Sequence, residues 1–390
     1  MNTNDEPMPQ QAIPAVYMRG GTSKGVFFLR EDLPEDPAER DRILLRVIGS
    51  PDGYGKHIDG MGGATSSTSK VVLVSRSTRP DCDVDYLFGA VAIGAPTIDW
   101  SGNCGNLTAA VGPFAISQGL VKPGADGDVA VHMWQQNIGK RIVAHVPVAG
   151  GEVVEQGTFE LDGVAFPSAE IRIEFLDPAG GSGLPLLPTG NTTDVLDIPG
   201  IGSVRATLIN AGNPTVIVAA SALGLIGTEM QADVNGDAAL LARCETLRAH
   251  AAVTMGLAGS ADEATRLRPA TPKLAFVSRP SAYVASNGKC IESGMIDVVA
   301  RILSMGQLHH ALTGTGAVAL AVAGALPGTL LHDILAGSSA RATLRLGHPS
   351  GILVVGAQAR ERNGEWEIVK AIVSRSARRL MSGRVFVPLP

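Results

Sequence analysis

The chain has 390 residues, a formal net charge of −5, and is 45% apolar against 18% charged. This composition excludes a disordered chain and supplies no bulk positive charge for nucleic acid or an anionic membrane. The length predicts two domains, or at most three, because single cores stop growing near ~250–300 residues.

The four cysteines, Cys82, Cys104, Cys244 and Cys290, are widely spaced and form no C-x-x-C pair, so no metal site is expected. The opening "MNTNDEPMPQQAIP" is polar and lacks the apolar core of a signal peptide. The longest apolar run, "GAVALAVAGALPG" (316–328), is too short to span a bilayer. A cytoplasmic protein with reduced thiols is expected.

Taken in order, "IPAVYM", "GVFFL", "KVVLVS" and "DVDYLFGAVAI" read as strands, being β-branched or alternating and punctuated by Gly, Asp and Pro. Residues 105–119 read as a helix, with Leu107, Ala110, Val111, Phe114 and Ile116 near helical spacing and Gly119 closing it. "VAVHMW", "RIVAHVPV" and "EVVEQGTFEL" continue the strands. The Gly- and Pro-rich stretch 176–194 is the expected domain boundary. A helix over 234–256 follows, with Leu240, Leu241, Cys244 and Leu247 on one side. Another is expected over 291–305, carrying Ile296, Val299, Ile302 and Leu303. Residues 314–326 are apolar on every face, the pattern of a helix enclosed by a curved sheet. The halves echo one another. "AVYMRGGTSKGVFF" and "ATLINAGNPTVIV" share a strand–turn–strand pattern, and each half has a glycine-rich turn leading into a buried helix.

Cys104, in "SGNCGNLTAAVG", sits where a helix begins. Free N–H groups and partial positive charge there favour a thiolate, although a small residue filling a tight turn would look the same. Cys82, Cys244 and Cys290 read as packing or surface thiols. Lys70 ends the hydroxyl-rich "DGMGGATSSTSK" and opens an apolar strand. A lysine at such a border is either a partly desolvated base or a solvated strand end. The turn "MRGGTSKG" brings Arg19, Thr22, Ser23 and Lys24 beside glycines that allow close backbone approach. His309 and His310 precede the second helix start without an acidic partner, which suits a carboxylate better than a metal. Together these features describe an anion site, with a thiol and a lysine placed for proton abstraction beside a carboxylate.

The stretches "YMRGGTSKGVFF", "DGMGGATSSTSK", "DWSGNCGNLTAAVG", "INAGNPT", "GQLHHAL" and "GHPSG" resemble the PrpF family, in family order over roughly 12–388. The family comprises cis–trans and allylic isomerases of unsaturated tricarboxylates, and the motifs look most like its 2-methylaconitate branch. The resemblance implies an α+β, diaminopimelate-epimerase-like fold of two similar domains. Each would wrap a barrel-like, mainly antiparallel sheet around a central buried helix. One domain would comprise 12–185 with 376–390, the other 186–375, and the active site would lie between them. It implies Lys70 and Cys104 as the catalytic pair, with no cofactor. Substrate contacts are expected from Arg19, Gly20, Gly21, Thr22 and Ser23; from Ser67, Thr68 and Ser69; from Asn103, Gly105 and Asn106; and from Asn213. The second half would add His309, His310, Thr313, Gly314, Thr315, His348 and Ser350. Epimerases of this fold carry a cysteine at each helix start. Here "HHALTGTG" has none, which argues against two-thiol epimerisation.

The expected reaction is interconversion of 2-methyl-trans-aconitate and 2-methyl-cis-aconitate in the methylcitrate cycle of propionate catabolism. Cys104 is either the acid–base partner of Lys70 or a holder of the substrate carboxylate. The alternatives are a 1,3-allylic tautomerase of 4-oxalomesaconate or a related isomerase of methylitaconate or aconitate, and a non-catalytic tricarboxylate-binding protein. The expected partner is a small tricarboxylate, with no nucleic acid and no membrane. A homodimer is compatible with the sequence.

Overall fold

The computed structural model describes residues 10–124, 126–180, 183–335, 343–362 and 365–388. Strands β1 (Gln10–Gly20) and β2 (Ser23–Leu29) form an antiparallel hairpin. Helix α1 (Pro37–Ile48) follows, capped by the Asp36 carboxylate on the Glu39 N–H at 2.8 Å and closed by left-handed Gly49. Strand β3 (Lys70–Arg76) then lies parallel to β2, and β4 (Val84–Val91) antiparallel to β3. After helix α2 (Gly105–Ser117), β5 (Gly127–Gln135) runs parallel to β4. β6 (Lys140–Ala149) and β7 (Ile171–Leu176) then add antiparallel strands.

The second half repeats this order. Strand β8 (Asp194–Ile198) precedes a hairpin of β9 (Gly202–Ala211) and β10 (Asn213–Ala219). Helix α3 (Ala238–Thr254) leads to β11 (Lys273–Ser278), parallel to β10, and β12 (Val298–Ser304) lies antiparallel to β11. After helix α4 (Gly314–Ala325), β13 (Thr343–His348) runs parallel to β12. β14 (Gly351–Arg362) and β15 (Glu365–Arg375) complete the set. β15 pairs with β7, and the final β16 (Ala377–Pro388) returns to pair with β1.

Each half thus curves its strands around one helix. Residues 105–116 of α2 and 314–323 of α4 are all buried. A helix enclosed on every side needs small residues where the sheet comes close. A Cβ on Gly112 would lie 2.8 Å from a Val146 methyl, and one on Gly324 would lie 2.7 Å from a Leu344 methyl. The larger apolar side chains of these helices each contribute about 1.5–3 kcal/mol on burial.

Three expectations need correction. Residues 291–305 do not form a helix: Ser293–Met295 make one 3-10 turn and β12 follows. The apolar run reads helically because β12 is buried on both faces, between β11 and β13, so it lacks the alternation of a half-exposed strand. The helix expected over 234–256 is interrupted. Gly236 ends a short helix, Gln231–Asn235, and Asp237 caps α3 through the Leu240 N–H at 2.9 Å. Of 152–161, only Glu152–Val153 is a strand. Cys244 lies in the core, where burial pushes its thiol up to about 12. Among the described residues no helix is long and apolar enough to cross a membrane.

Candidate active site

The starts of α2 and α4 meet. A Cβ on Gly105 would lie 2.6 Å from the Thr315 nitrogen, and one on Gly314 would lie 2.6 Å from the Gly105 carbonyl carbon. Two glycines therefore let two helix N-termini touch, bringing two partial positive charges together. Cys104 caps α2, its Sγ accepting the Leu107 N–H at 3.5 Å. Thr313 caps α4, its hydroxyl accepting the Gly316 N–H at 3.2 Å. The junction is pinned by Asn213, at the start of β10. Its Oδ1 accepts the Asn103 N–H and its Nδ2 donates to the Asn103 carbonyl, both at 2.8 Å. Asn103 Oδ1 accepts from the Tyr86 hydroxyl at 3.2 Å, while its Nδ2 is buried without a partner.

Lys70 is the first residue of β3. The strand carries it inward, only 5% exposed, to place Nζ 3.5 Å from Cys104 Sγ and 3.1 Å from Ser23 Oγ. The Lys70–Cys104 pair is thus formed in the folded chain. Ser23, at the tip of the β1–β2 hairpin, links Lys70 to a cavity of about 320 Å³. That cavity is lined by the hairpin turn, Ser67, Thr68 and His310, and on a more apolar wall by Val164, Ala165, Phe166 and Leu380. Three cations, Arg19, Lys24 and Arg378, also reach it.

The hairpin glycines are explained by approach to α2. A Cβ on Gly20 would lie 2.6 Å from the Asn106 carbonyl oxygen. Gly21, at φ +51°, sits where a Cβ would come within 2.5 Å of Asn106 Oδ1. Asn106 Nδ2 in turn donates to Thr22 Oγ1 at 3.0 Å. Arg19 is held by the protein itself, through the Ser376 carbonyl at 2.9 Å and Ser168 Oγ at 3.0 Å. Ser69 turns away from the cavity toward His57 Nδ1 at 3.3 Å.

From the second half, His309 and His310 stack with ring centroids 4.7 Å apart. His309 is buried, accepts the Ala311 N–H at Nδ1 and leaves Nε2 without a partner. Burial, then the neighbouring His310 and Lys70, hold it well below the usual histidine value. His310 is lowered as well, by burial and then by Lys70. Ser350 Oγ donates to the His310 carbonyl at 2.5 Å, and Thr315 Oγ1 donates to the Asn103 carbonyl at 3.5 Å. His348 is pushed down to about 3, by burial first and by Arg301 second, and its Nδ1 accepts the Ser350 N–H.

Several neighbours escaped the sequence reading. Arg375, the last residue of β15, is 1% exposed and donates to Asn106 Oδ1 at 3.0 Å and the Ser374 carbonyl at 3.0 Å. Burial lowers its guanidinium to about 10. The wall at 164–166, Arg378 and Leu380 carry no motif that would have revealed them.

Residues 10–388 match the family described as PrpF protein. The chain belongs to the PrpF family. A 2-methyl-aconitate isomerase of Shewanella oneidensis is 57% identical over 98% of both chains. A second 2-methyl-aconitate isomerase, of Cupriavidus necator, is 56% identical over 98% of both. A 4-oxalomesaconate tautomerase of Pseudomonas putida is 37% identical over 97% of both. Among solved structures, a methylitaconate-delta-isomerase is 38% identical, covers 97% of this PrpF chain and 96% of its own, and has a TM-score of 0.75. A probable proline racemase from Agrobacterium radiobacter K84, 14% identical over 97% of this chain and 93% of its own, shares the fold with a TM-score of 0.55. The α+β, epimerase-like architecture expected from the motifs is the fold of this PrpF chain.

Proposed function

We propose that this chain is an isomerase that interconverts 2-methyl-trans-aconitate and 2-methyl-cis-aconitate by allylic proton transfer. The observation that carries this reading is the Lys70 Nζ–Cys104 Sγ contact of 3.5 Å, at the junction of two helix N-termini. The substrate class follows from the identity of 56–57% to the two 2-methyl-aconitate isomerases. Tautomerisation of 4-oxalomesaconate is the second reading, supported by a relative of 37% identity. We take the two structural units to be 12–185 with 376–390, and 186–375, with the site in the cleft between them. We also place this cofactor-independent enzyme in the cytoplasm, within the methylcitrate cycle.

In this mechanism the neutral Lys70 amine removes an allylic proton. The electron pair passes into the double bond and the conjugated carboxylate, forming a dienolate. Free N–H groups at the starts of α2 and α4 stabilise the negative charge. The former double bond gains single-bond character and rotates. The proton returns to the allylic carbon, restoring the lysine and giving the other geometric isomer. Cys104 serves as the acid–base partner or holds the substrate carboxylate. The apolar wall of the cavity, Val164 to Phe166, accommodates the methyl group.

Turnover in deuterium oxide, followed by proton NMR, tests both chemistry and substrate. The expected result is deuterium at the allylic carbon and a changed double-bond geometry with 2-methylaconitate. Lys70→Ala should lose about 10³-fold or more in kcat with an unchanged melting profile, as removal of a general base requires. Near-normal turnover by this variant would remove Lys70 from the role. Faster conversion of 4-oxalomesaconate, with a shifted double bond, would favour the second reading.

A further inference from the structure

The cavity beside Lys70 has two unlike sides. Its polar side carries Ser23, whose hydroxyl accepts from Lys70 Nζ at 3.1 Å, and the cations Arg19, Lys24 and Arg378. Its other side is apolar and open: Phe166 is 72% and Leu380 41% exposed, and both line the cavity. Large apolar side chains gathered at a cavity keep apolar surface in water until something covers it. The backbone sets both of them there. Leu380 is the extra residue of a bulge in β16: Arg379 pairs with Met18 and Met381 with Tyr17, so Leu380 opposes no residue of β1. Bulges of this kind bend a strand and re-aim side chains beside sites. Phe166 rides on the turn closed by Phe159 and Ser168, which exchange backbone hydrogen bonds at 3.0 and 3.1 Å. That turn is pinned to the second half, where Asp162 Oδ2 accepts the Ile352 N–H at 2.7 Å. Gly163, at φ +95°, fits closely between the halves; a Cβ there would lie 3.0 Å from a Thr22 methyl and 3.4 Å from Ser350 Cβ.

We propose that Leu380 is a specificity-determining residue which, together with Phe166, holds the methyl substituent of the substrate and selects methylated over unmethylated tricarboxylates.

A tricarboxylate brings three anionic groups. A carboxylate set against Phe166 and Leu380 would lose hydration and gain no donor from them, which is costly. The carboxylates therefore go to the side that offers cations, hydroxyls and helix starts, and an uncharged part of the substrate faces the apolar side. In 2-methylaconitate the methyl group is the part that aconitate lacks. One methyl group in an apolar pocket is worth about 10–200-fold in kcat/KM. An oxalyl group in the same place would bring a carboxylate against the wall, so the same two residues disfavour 4-oxalomesaconate. Neither side chain carries a titratable or hydrogen-bonding group, so their part is selection and not proton transfer.

This selection rests on the proposed isomerisation, so the wild type is measured first on both 2-methyl-trans-aconitate and trans-aconitate. The readout is the ratio of the two kcat/KM values, for the wild type, Leu380→Ala and Phe166→Ala, with thermal unfolding and solution mass recorded for each. The wild type should prefer the methylated substrate by about 10-fold or more. Each variant should lower that ratio by about 10-fold, the low end of a methyl group's worth, with the larger loss on the methylated substrate. Both side chains are exposed enough for the variants to fold, and should one not unfold cooperatively, the other decides. An unmoved ratio, equal losses on both substrates, or a wild type without preference overturns the proposal. A changed oligomeric state with an unmoved ratio makes the apolar side a contact between copies of the chain and overturns it too. A wild type that converts neither aconitate removes the proposed reaction and this selection with it. An active wild type beside variants of unmoved ratio overturns the selection alone.

Discussion

Asn213→Ala should damage stability and catalysis together. Both amide atoms of Asn213 are committed to the main chain of Asn103, at 2.8 Å each, and both residues are buried. Truncation strands the Asn103 N–H. It leaves the Asn103 carbonyl with one long bond, from Thr315 Oγ1 at 3.5 Å. A buried donor left unsatisfied costs about 1–3 kcal/mol, and the second lost bond adds about 1, giving about 2–4 kcal/mol. Cys104 follows directly in the chain, so a relaxed Asn103 also moves the cap of α2 and its contact with Lys70. A displacement of about 1 Å there costs on the order of 10²-fold in kcat. Thermal unfolding and initial rates read the two effects. A variant that melts with the wild type and turns over normally would show that Asn213 does not hold the junction. A melting drop with normal kcat would show that the pin matters for folding but not for geometry at Cys104.

Gly105→Ala tests the contact between the helix starts: its Cβ would press on the Thr315 nitrogen at 2.6 Å, and backbone cannot swing aside. A loss of about 1–3 kcal/mol is expected in a denaturant titration, with reduced kcat, and an unchanged midpoint would refute the contact. His348→Gln tests acid stability. Since His348 is lowered to about 3 in the fold, the unfolded chain binds more protons between about 3 and 6.5. Stability contributed by the neutral ring is therefore present above about 6.5 and lost as pH falls, by up to about 1.4 kcal/mol per unit. The variant should destabilise less steeply on acidification, and parallel curves for the two proteins would refute this.

What the sequence revealed depended on the range of the interaction. The cap at Cys104 was legible because a helix start is local: glycine and asparagine shoulders precede a buried run. Helix α4 was legible because no surface helix is apolar on every face. The contact between Lys70 and Cys104 was not legible from spacing, because 34 residues and a strand crossover separate them; residue chemistry suggested a thiol and a lysine acting together, and the resemblance named them as the pair. Asn213 was expected as a substrate contact, and the structure shows each of its amide atoms bonded to the Asn103 main chain. A turn sequence does not say whether an amide faces a ligand or a backbone. Arg375 was missed because "VSRSARR" looks like a basic surface run, yet β15 carries this one arginine inward to Asn106. Strand β12 was misread because burial on both faces erases the period that distinguishes strand from helix.

The fold is duplicated, but its chemistry is not. Corresponding positions hold Lys70 and Lys273 at the strand starts, and Cys104 and Thr313 at the helix caps. A threonine hydroxyl caps a helix as a thiol does, so α4 has an anion-attracting N-terminus without a titratable cap. A symmetric acid–base pair, one thiol from each half, therefore cannot be assembled here. What both halves keep is a lysine at a strand start and a helix N-terminus. A racemising site needs opposed acids and bases at one carbon. An allylic isomerase needs one base and donors that stabilise a delocalised carboxylate anion, and that is the division of labour we propose for these residues.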